Sequence, residues 1–543
     1  MRPTAILRTN KGQALILAYL VISVMIVLGA SLLARAVSER HLAERNRLAT
    51  EVFYMAEGAN DNAIAAFASA IANYQIAPDA ASYPVNTYFA QYGVTVTTIV
   101  RRIEDTERQV NEGQTYVSVR NYEVVSTVAH PQQPGVQVTL HQIIGRRLIP
   151  TFQHVVFYND DLEILPGKNM TISGRIHCNE DIYMDAESGA TLTIDSTSLH
   201  SAGSIYNQRK DNGSQLAGDV SIRVDKPGSP KYANMNNLDC DVDTWTADSQ
   251  VRWGGSVESS VHGVDKLSAP AVASVQPAGY YANNAEVKVI DNTVYRNGVA
   301  LVEGVNCPVG TVTTTTTLYN NRENTYVKTT NLDLKKLAGY TSTDPAGSPS
   351  FPNNLPSNGL LYATRDDTGF TYEPGVRLVN GTEIFKSNGL TVVSNDPVYV
   401  QGNYNTTNEK PTAIICDALN ILSTTWSDSN STKDLSSRTP ATTTVNAALI
   451  AGAEDTATGH YNGGLENYPR LHENWSGTTL NIKGSFVELW ESQIANGNWV
   501  YGSPQYTAPV RNWTYNTAFN NPANLPPFTP WAVEARRVAW WKD

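Results

Sequence analysis

Three aspartates at alternating positions are candidate ligands for a calcium ion. Asp239, Asp241 and Asp243 alternate as they do at the start of an EF-hand, where carboxylate oxygens coordinate the ion. The loop glycine and the terminal glutamate are missing, because Gln250 stands where the twelfth position would fall. We therefore interpret the segment as a solvated acidic loop and expect no metal, with calcium at these aspartates as the alternative.

The sequence contains no complete catalytic motif. The pair His472-Glu473 lacks the second histidine of a zinc-protease helix, and the sequence contains neither a GxSxG elbow nor a glycine-rich phosphate loop. Enzymes that cleave polysaccharides use clustered carboxylates, and Asp160-Asp161 and the region of His262 are the nearest matches. The sequence thus predicts a protein with no enzymatic activity, no catalytic residues and no cofactor.

The four cysteines, Cys178, Cys240, Cys307 and Cys416, lie far apart in the sequence. No CxxC or Cys/His spacing is present, which argues against zinc. Cys416 ends an apolar run and is interpreted as a buried filler of a strand. Disulfides form outside the cytoplasm, so Cys240 and Cys307 are candidates for a bridge.

The N-terminus of the sequence contains a long apolar segment. An uncharged apolar run from Gln13 to Ala34 spans about 33 Å as a helix, enough to cross a hydrocarbon core of about 30 Å. Arg2, Arg8 and Lys11 precede it without any acid, so the positive-inside rule places the N-terminus in the cytoplasm. Helical apolar spacing continues to residue 74, which predicts one helix that is apolar all round at first and amphipathic later.

Three hypotheses explain this run. It could be a cleaved secretory signal, because Ala34-Arg35-Ala36 has the small-x-small form of a cleavage site, although such apolar regions are shorter. It could be a plain single-span anchor. It could also belong to a prepilin, in which the cut falls on the cytoplasmic side after Gly12 and the apolar helix stays on the mature protein.

Two motifs favour the prepilin. KGQALI, from Lys11 to Ile16, is followed about forty residues later by FYMAEG, from Phe53 to Gly58. Together they resemble the N-terminal region of PilX-type minor pilins of type IV pili, over about the first 70 residues. The resemblance implies cleavage between Gly12 and Gln13 by a prepilin peptidase, N-methylation of Gln13, and entry into a filament through the helix. It gives these residues a role in assembly: Ala14, Leu15, Leu17, Phe53, Tyr54, Glu57 and Gly58.

One position departs from the major pilins. These carry a glutamate at the fifth mature position, where this sequence has Leu17. A carboxylate in the bilayer is costly unless it is paired, and leucine removes both the cost and the pairing. PilX-type and tip pseudopilin sequences share this absence, so we expect a low-copy subunit at or near the filament tip.

The rest of the chain is predicted to be rich in short strands. It has 543 residues, of which only 17% are charged, with abundant Gly, Pro, Asn, Thr and Ser. We predict an α+β to mainly β protein in which a right-handed β-helix-like solenoid follows a pilin-like sheet, with a β-sandwich as the alternative. The units are a leader (1–12), the helix (13–75), a pilin-like antiparallel β-meander (76–156), a first solenoid part (157–238), an irregular insertion (239–379), a second solenoid part (380–474) and a Trp/Pro-rich cap (475–543).

The aromatic residues of the last unit have two explanations. Seven of the ten tryptophans lie between Trp475 and Trp541, among many prolines. We interpret them as a wrap that covers the last rung of the solenoid. The alternative is a set of exposed platforms that stack on sugars or anchor a protein partner.

These observations predict a non-enzymatic minor-pilin-like subunit of a type IV pilus or a type II-like pseudopilus. It would start as a single-pass inner-membrane protein and then enter the filament at the periplasm or cell surface, displaying its β-rich part for adhesion or docking. Its partners would be other minor and major pilins, the prepilin peptidase, the inner-membrane assembly platform and a tip adhesin. The net charge of -11 argues against nucleic acid. A membrane-tethered β-helix that binds or cleaves polysaccharide, and a purely structural envelope protein, are the alternatives.

Overall fold

The computed structural model describes residues 11–112, 115–369 and 371–543. Most of the predicted leader, including Arg2 and Arg8, lies outside the described residues. The long N-terminal helix is confirmed: α1 (Lys11–Ala72) runs through both motifs without a break. It ends before Tyr74, whose φ of 58° starts the turn, and Pro78 follows soon after. Its apolar first half is exposed, and one face of its second half is buried.

The second half of α1 packs against an antiparallel sheet. Phe67 of the helix meets Tyr122 with ring centroids 4.8 Å apart, in one buried cluster with Val100, Val124 and Ile144. Antiparallel pairing alternates side chains between the helix face and the outer face, which is why these aliphatics line up. The first strands are β1 (Ser82–Phe89), β2 (Val94–Arg102), β3 (Arg108–Glu112), β4 (Thr115–His130) and β5 (Gln133–Pro150).

After Pro150 the chain changes to very short strands, most of which stack in parallel. Leu192 lies beside Met170 in the ladder, and Leu199 lies beside Ile176, so aliphatic side chains superpose from one layer to the next and are buried. These strands are β6 (Val156–Tyr158), β7 (Leu162–Ile164), β8 (Met170–Ser173), β9 (Ile176–Cys178), β10 (Ile182–Met184), β11 (Thr191–Asp195), β12 (Leu199–Ser201), β13 (Ile205–Tyr206), β14 (Asp219–Arg223) and β15 (Tyr232–Asn234), followed by α2 (Trp245–Trp253) and β16 (Val257–Glu258).

The second half of the β-rich region also stacks strands in parallel, with antiparallel hairpins added between residues 287 and 333. Parallel neighbours include Val392 beside Ile414 and Ile414 beside Leu449, all buried. The elements are α3 (Tyr280–Asn284), β17 (Val287–Ile290), β18 (Thr293–Arg296), β19 (Val299–Ala300), β20 (Val312–Asn320), β21 (Thr325–Asp333), α4 (Leu334–Leu337), β22 (Leu360–Thr364), β23 (Glu373–Val379), β24 (Leu390–Val393), β25 (Val398–Gln401), β26 (Thr412–Cys416), β27 (Leu419–Leu422), β28 (Thr443–Ala451), β29 (Arg470–Leu471), β30 (Thr479–Glu488), β31 (Val510–Tyr515) and β32 (Trp531–Lys542).

The two halves join in one 13-stranded sheet whose main order is β16-β12-β9-β6-β30-β28-β26-β24-β22-β17-β18-β19. The chain enters this sheet near its middle at β6 and runs to β16. It resumes near the other end at β17 and returns to the middle, where β30 pairs with β6. Residues 239–379, which we predicted to be an irregular insertion, therefore contribute strands to the main sheets, because β16 pairs with β12 and β22 pairs with β24.

The C-terminal segment also differs from the predicted cap. β31 pairs with β30, while β32 leaves the stack and pairs with β5 in antiparallel fashion, from Trp531 opposite Pro150 to Lys542 opposite Leu140. Residues 11–150 and 531–543 thus form a helix–sheet unit. Residues 151–530, which we call the head, are inserted between its last two strands, and the NH of Thr151 donates to the carbonyl of Pro530 at 3.0 Å.

Candidate functional site

The first predicted site lies on the exposed half of α1. Gly12, Gln13 and Ala14 begin the helix, and Leu15 and Leu17 project from it without covering contacts, Leu17 being 66% exposed. α1 is the helix in the described residues that is long and apolar enough to cross a membrane. This surface can bury itself in lipid or against other apolar helices.

The second motif lies where α1 first meets the sheet. Tyr54 is exposed and Glu57 is half-buried. Gly58 lies beside the Phe89 ring, which is 3.7 Å from the position that a Cβ would take. Phe53 contacts Trp540 of β32, with ring centroids 6.1 Å apart. The motif thus joins the helix to both edges of the sheet, and the sequence alone did not indicate the contact with the C-terminal strand.

The calcium alternative is not supported at the three aspartates. The carboxylate of Asp239 accepts hydrogen bonds from the backbone NH groups of Asn207, at 3.0 Å, and of Asp241, at 3.1 Å. Asp241 and Asp243 are exposed. Over the described residues no group of three or more His, Cys, Asp or Glu side chains is arranged to hold a metal ion. Asp239 orders its loop instead.

The proposed bridge between Cys240 and Cys307 is not formed, since both thiols are free. The Sγ of Cys240 accepts a hydrogen bond from the backbone NH of Ile205 at 3.1 Å, which holds it beside β13. Cys307 is buried in a different loop, between β19 and β20. Cys416 is fully buried at the end of β26, and burial raises the pKa of its thiol.

The two histidines considered as catalytic candidates, His472 and His262, form hydrogen bonds within the fold. The Nε2 of His472 lies 2.8 Å from the Oδ1 of Asn420 in the interior, and burial lowers its pKa to about 3. The neighbouring Glu473 accepts hydrogen bonds from the NH and the hydroxyl of Ser423 at 2.7 Å each. His262 lies 3.0 Å from the hydroxyl of Ser249. These contacts account for the side chains as parts of the fold.

A cleft rich in carboxyl groups opens at the middle of the head. β6 and β30 are parallel neighbours with Tyr158 opposite Glu488, and both strands end there, so the turns that follow meet at one edge of the sheet. The cleft has a cavity volume of about 40 Å³ and is lined by acidic side chains, two arginines and the loop after β28. Its acidic residues, which we call the acidic cluster, are Asp160, Asp161, Glu163, Glu454, Asp455 and Glu488.

Glu488 is the most deeply placed member of the acidic cluster, with 2% of its surface exposed. Its Oε2 accepts hydrogen bonds from the backbone NH groups of Asn159 and Asp160, each at 3.1 Å. Its Oε1 contacts no hydrogen-bond donor among the described residues. Burial, together with the neighbouring Asp160, raises the pKa of Glu488 to about 8.

Two other glutamates repeat this pattern. Burial raises the pKa of Glu163 and of Glu454 to about 7 each. One carboxyl oxygen of each residue, Oε2 of Glu163 and Oε1 of Glu454, is buried without a donor in the described part of the chain. Three carboxyl oxygens around the cleft are therefore buried without a hydrogen-bond donor from the described residues.

Basic residues neutralise only part of the acidic cluster. The Nζ of Lys210 lies 2.9 Å from a carboxyl oxygen of Asp161 and 3.6 Å from one of Asp455. Arg322 donates through Nε to the carbonyl of Gly497 at 2.7 Å. Burial and the nearby Arg470 lower the pKa of Arg322 to about 9. The charge of the cleft thus remains negative when its acids are ionised.

Aromatic side chains lie beside Gly463, one of the residues that line the cleft. Trp499 meets Tyr461 edge to face at 5.0 Å and stacks on Tyr501 at 6.5 Å. Tyr501 is 56% exposed. The Nε1 of Trp499 donates to the hydroxyl of Tyr506 at 3.0 Å. Gly463, with φ of 94°, leaves space for the indole, because a Cβ there would lie 2.9 Å from Trp499. We call Tyr461, Trp499 and Tyr501 the aromatic rim.

Sequence reasoning found little of this cleft. It singled out Asp160-Asp161 but missed Glu163, Glu454 and Glu488, because their proximity depends on the pairing of β6 with β30, strands that lie at opposite ends of the head in the sequence. The tryptophan density near the C-terminus was a usable signal for the aromatic rim. No local pattern linked that rim to the acids.

Two surfaces therefore qualify as candidate functional sites: the exposed half of α1, and the cleft lined by the acidic cluster. The sequence matches no protein-family model and no curated protein, and the fold matches no solved structure.

Proposed function

We propose that the chain is a non-enzymatic, minor-pilin-like subunit that enters a type IV pilus or a type II-like pseudopilus through α1. The observation that carries the proposal is the division of this one helix. Its second half is buried on an antiparallel sheet, while its first half presents apolar side chains with no covering contacts. A pilin needs this arrangement, since the same helix is held first in lipid and later in a bundle of other pilins.

The exposed half of α1 is costly in water. A leucine-sized side chain left in water instead of buried costs about 1.5–3 kcal/mol, and apolar residues from Leu15 to Leu33 surround the helix. A membrane satisfies this surface before assembly, with the N-terminus in the cytoplasm. Neighbouring pilins satisfy it afterwards. Leu17 contributes no charge to that bundle, which supports a place at or near the tip.

The head supports the same role by its form. We infer that its stacked parallel strands are a β-solenoid, because β6, β9 and β12 return at residues 156, 176 and 199 in the same sheet. A solenoid offers a long rigid surface, which suits adhesion or docking of a tip protein. So large a structure on each subunit would crowd a tightly packed filament, which again favours a low copy number.

The N-terminus of the mature protein tests the proposal. The chain is expressed with the prepilin peptidase in a piliated bacterium, and mass spectrometry of the membrane and filament fractions should find a protein that starts at N-methylated Gln13. Gly12→Val should block the cut, because the peptidase requires a small residue there, whereas Gly29→Val within the same helix should leave the cut intact.

An intact Met1 would identify a plain anchor, and a start near Val37 would identify a secretory signal. Either result contradicts the proposal. Immunogold labelling of the same filaments tests the location, and dense labelling along their length would contradict a tip position.

A further inference from the structure

We propose that Phe53, Tyr54, Trp540 and Lys542 form a docking surface for the helix of another pilin-type subunit, different from this chain. We call these four residues the α1–β32 patch. The inference rests on the proposed function, because it names the partner that meets α1 above the membrane. It concerns a surface that lies outside the exposed first half of α1.

The α1–β32 patch lies where α1 first meets the last strand of the sheet. The rings of Phe53 and Trp540 have their centroids 6.1 Å apart, and those of Phe53 and Tyr54 are 5.7 Å apart. The Nζ of Lys542 lies 5.6 Å from the centre of the Phe53 ring. Residues from the two ends of the sequence therefore form one continuous surface.

Two large aromatic rings of the patch are open to solvent. Tyr54 is 64% exposed and Trp540 is 61% exposed. Burial of such rings is favourable, and tryptophan and tyrosine are enriched among the residues that contribute most to binding at protein interfaces. The fold of this chain leaves that burial to a partner.

A bulge in β32 brings Trp540 to the patch. Val538 is an extra residue in the ladder between β32 and β5. Because side chains alternate along a strand, one extra residue exchanges the two faces for every residue that follows it. Trp540 therefore lies on the α1 side, beside Phe53, while Trp541 lies on the outer side, stacked on His141 at 4.8 Å. Bulges re-aim side chains in this way beside functional sites.

The continuity of α1 identifies the occupant. The helix is unbroken from Lys11 to Ala72, so at about 1.5 Å per residue Tyr54 lies about 30 Å beyond Ala34, the end of the apolar run. Residues 35–47 are exposed on every side. A second helix that packs in parallel along the exposed half of α1 and continues in the same direction therefore reaches the patch.

Other occupants fit less well. Aromatic residues that bind lipid lie at the headgroups, whereas the patch lies about 30 Å from the apolar run. A soluble partner needs about 800 Å² on each side for a stable interface, which is more than four side chains supply alone. A second copy would bring a second head to the same level, against the low copy number proposed above.

Charge adds a requirement on the partner. Two arginines near the patch are paired within the chain, Arg537 with Asp61 at 2.7 Å and Arg536 with Glu534 at 3.2 Å. Lys542 is exposed and adds a positive charge beside the rings. The partner helix should thus present an apolar stripe to the rings and an acidic residue to Lys542.

Photo-crosslinking in filaments tests the assignment. p-Benzoylphenylalanine replaces Tyr54 or Trp540 in the full-length chain, which is expressed in a piliated bacterium, and mass spectrometry identifies the adducts after irradiation. We expect both positions to link to the N-terminal helix of a different, processed pilin-type subunit. The same probe should not reach that helix from Tyr88, which is 65% exposed on β1 at the other edge of the sheet, or from Trp541.

Substitutions measure how much the patch contributes. Trp540→Ala should reduce the amount of the chain in the filament fraction about 5- to 30-fold, as expected for loss of a central aromatic contact. Trp541→Ala, on the same strand but the outer face, should leave that amount unchanged. Both variants should still be cut after Gly12. The crosslinks decide the question if Trp540→Ala fails to fold, because they need no loss of an aromatic ring.

The assignment is overturned if filaments that contain the chain yield no adduct from Tyr54 and Trp540, or if the control positions yield the same adduct. It is also overturned if the adduct is a lipid, a second copy of this chain or a protein without a pilin-type helix. Any of these results in a correctly processed chain refutes only the patch. A mature N-terminus at Met1 or near Val37 refutes the role in the filament, and the patch then has no partner helix.

Discussion

Glu373 holds an ionisable group in the interior of the head, away from the cleft. It begins β23 beside Val327 of β21 and is buried, and its Oε1 has no hydrogen-bond donor among the described residues. Burial raises its pKa to about 8, and repulsion from Glu323 adds to the shift. The folded chain therefore favours the protonated form of this residue.

The stability of the head should consequently fall as the pH rises. Below pH 4.5, the ordinary value for glutamate, Glu373 is protonated in both folded and unfolded chains and has no differential effect. Between pH 4.5 and about 8 the folded chain binds the extra proton, so the free energy of unfolding decreases with pH. Above that range the buried charge destabilises the fold fully.

Glu373→Gln tests this directly. Glutamine cannot ionise, so the variant should be about 1–3 kcal/mol more stable than the unaltered chain at pH 9 and nearly equal to it at pH 5. Chemical denaturation of both proteins at the two pH values measures the difference. Glu187→Gln, at an exposed site, should show no such gain, and an equal gain in both variants would contradict the assignment to Glu373.

Among the elements, β32 has the largest consequences for the fold. It pairs with β5 along its whole length. Its buried Val533 packs toward α1 and the sheet core, and its buried Ala532 packs into the core of the head. Its distal part carries exposed residues and the contact of Trp540 with Phe53. The last strand of the chain thus completes the unit that the first helix begins.

Substitutions at two valines of β32 distinguish the contribution of side-chain packing from that of strand pairing. Val533 is 1% exposed and Val538 is 61% exposed. Val533→Ala leaves a cavity beside α1 and should destabilise the helix–sheet unit by about 2 kcal/mol, whereas Val538→Ala on the same strand should change stability by less than about 0.5 kcal/mol. Denaturant unfolding of full-length protein in detergent checks both, and equal effects would show that β32 is not packed as described.

The elements also show how far the sequence could predict the fold. The long helix followed from its composition and apolar spacing, and the short strands followed from alternating aliphatics between turn residues. The pairing of β32 with β5 and of β30 with β6 could not be predicted from the sequence, because no local pattern specifies which distant strands pair. The acidic cleft was missed for the same reason, although Asp160-Asp161 marked one part of its lining.

In the whole molecule, the head is an insertion whose two ends meet. The NH and the hydroxyl of Thr151 both donate to the carbonyl of Pro530, at 3.0 and 3.2 Å, and Trp531 lies directly opposite Pro150 in the antiparallel ladder. Two chain crossings therefore fix the head to the helix–sheet unit. A force on the head passes into both β5 and β32, which suits a structure displayed at the end of a filament.

This arrangement predicts that the helix–sheet unit can exist without the head. Pro150 and Trp531 are opposite each other, so a two-residue Asn-Gly turn can replace residues 151–530 as an ordinary β-hairpin connection. The shortened chain loses the contacts of Val117, Val119 and Ile149 with the core of the head, but it keeps the cluster between α1 and the sheet. It should fold, insert into the membrane and be cut after Gly12.

Circular dichroism and a cooperative melt of the shortened chain in detergent measure folding, and mass spectrometry of its N-terminus measures processing. A chain that ends at residue 150 lacks β32 and serves as the control. It exposes the edge of β5 and the core beneath Val533, so it should melt at lower temperature or fail to fold. If both shortened chains behave alike, β32 is not a working part of the helix–sheet unit. If the first chain is unfolded while the full-length protein is stable, the helix–sheet unit depends on contacts with the head for its stability.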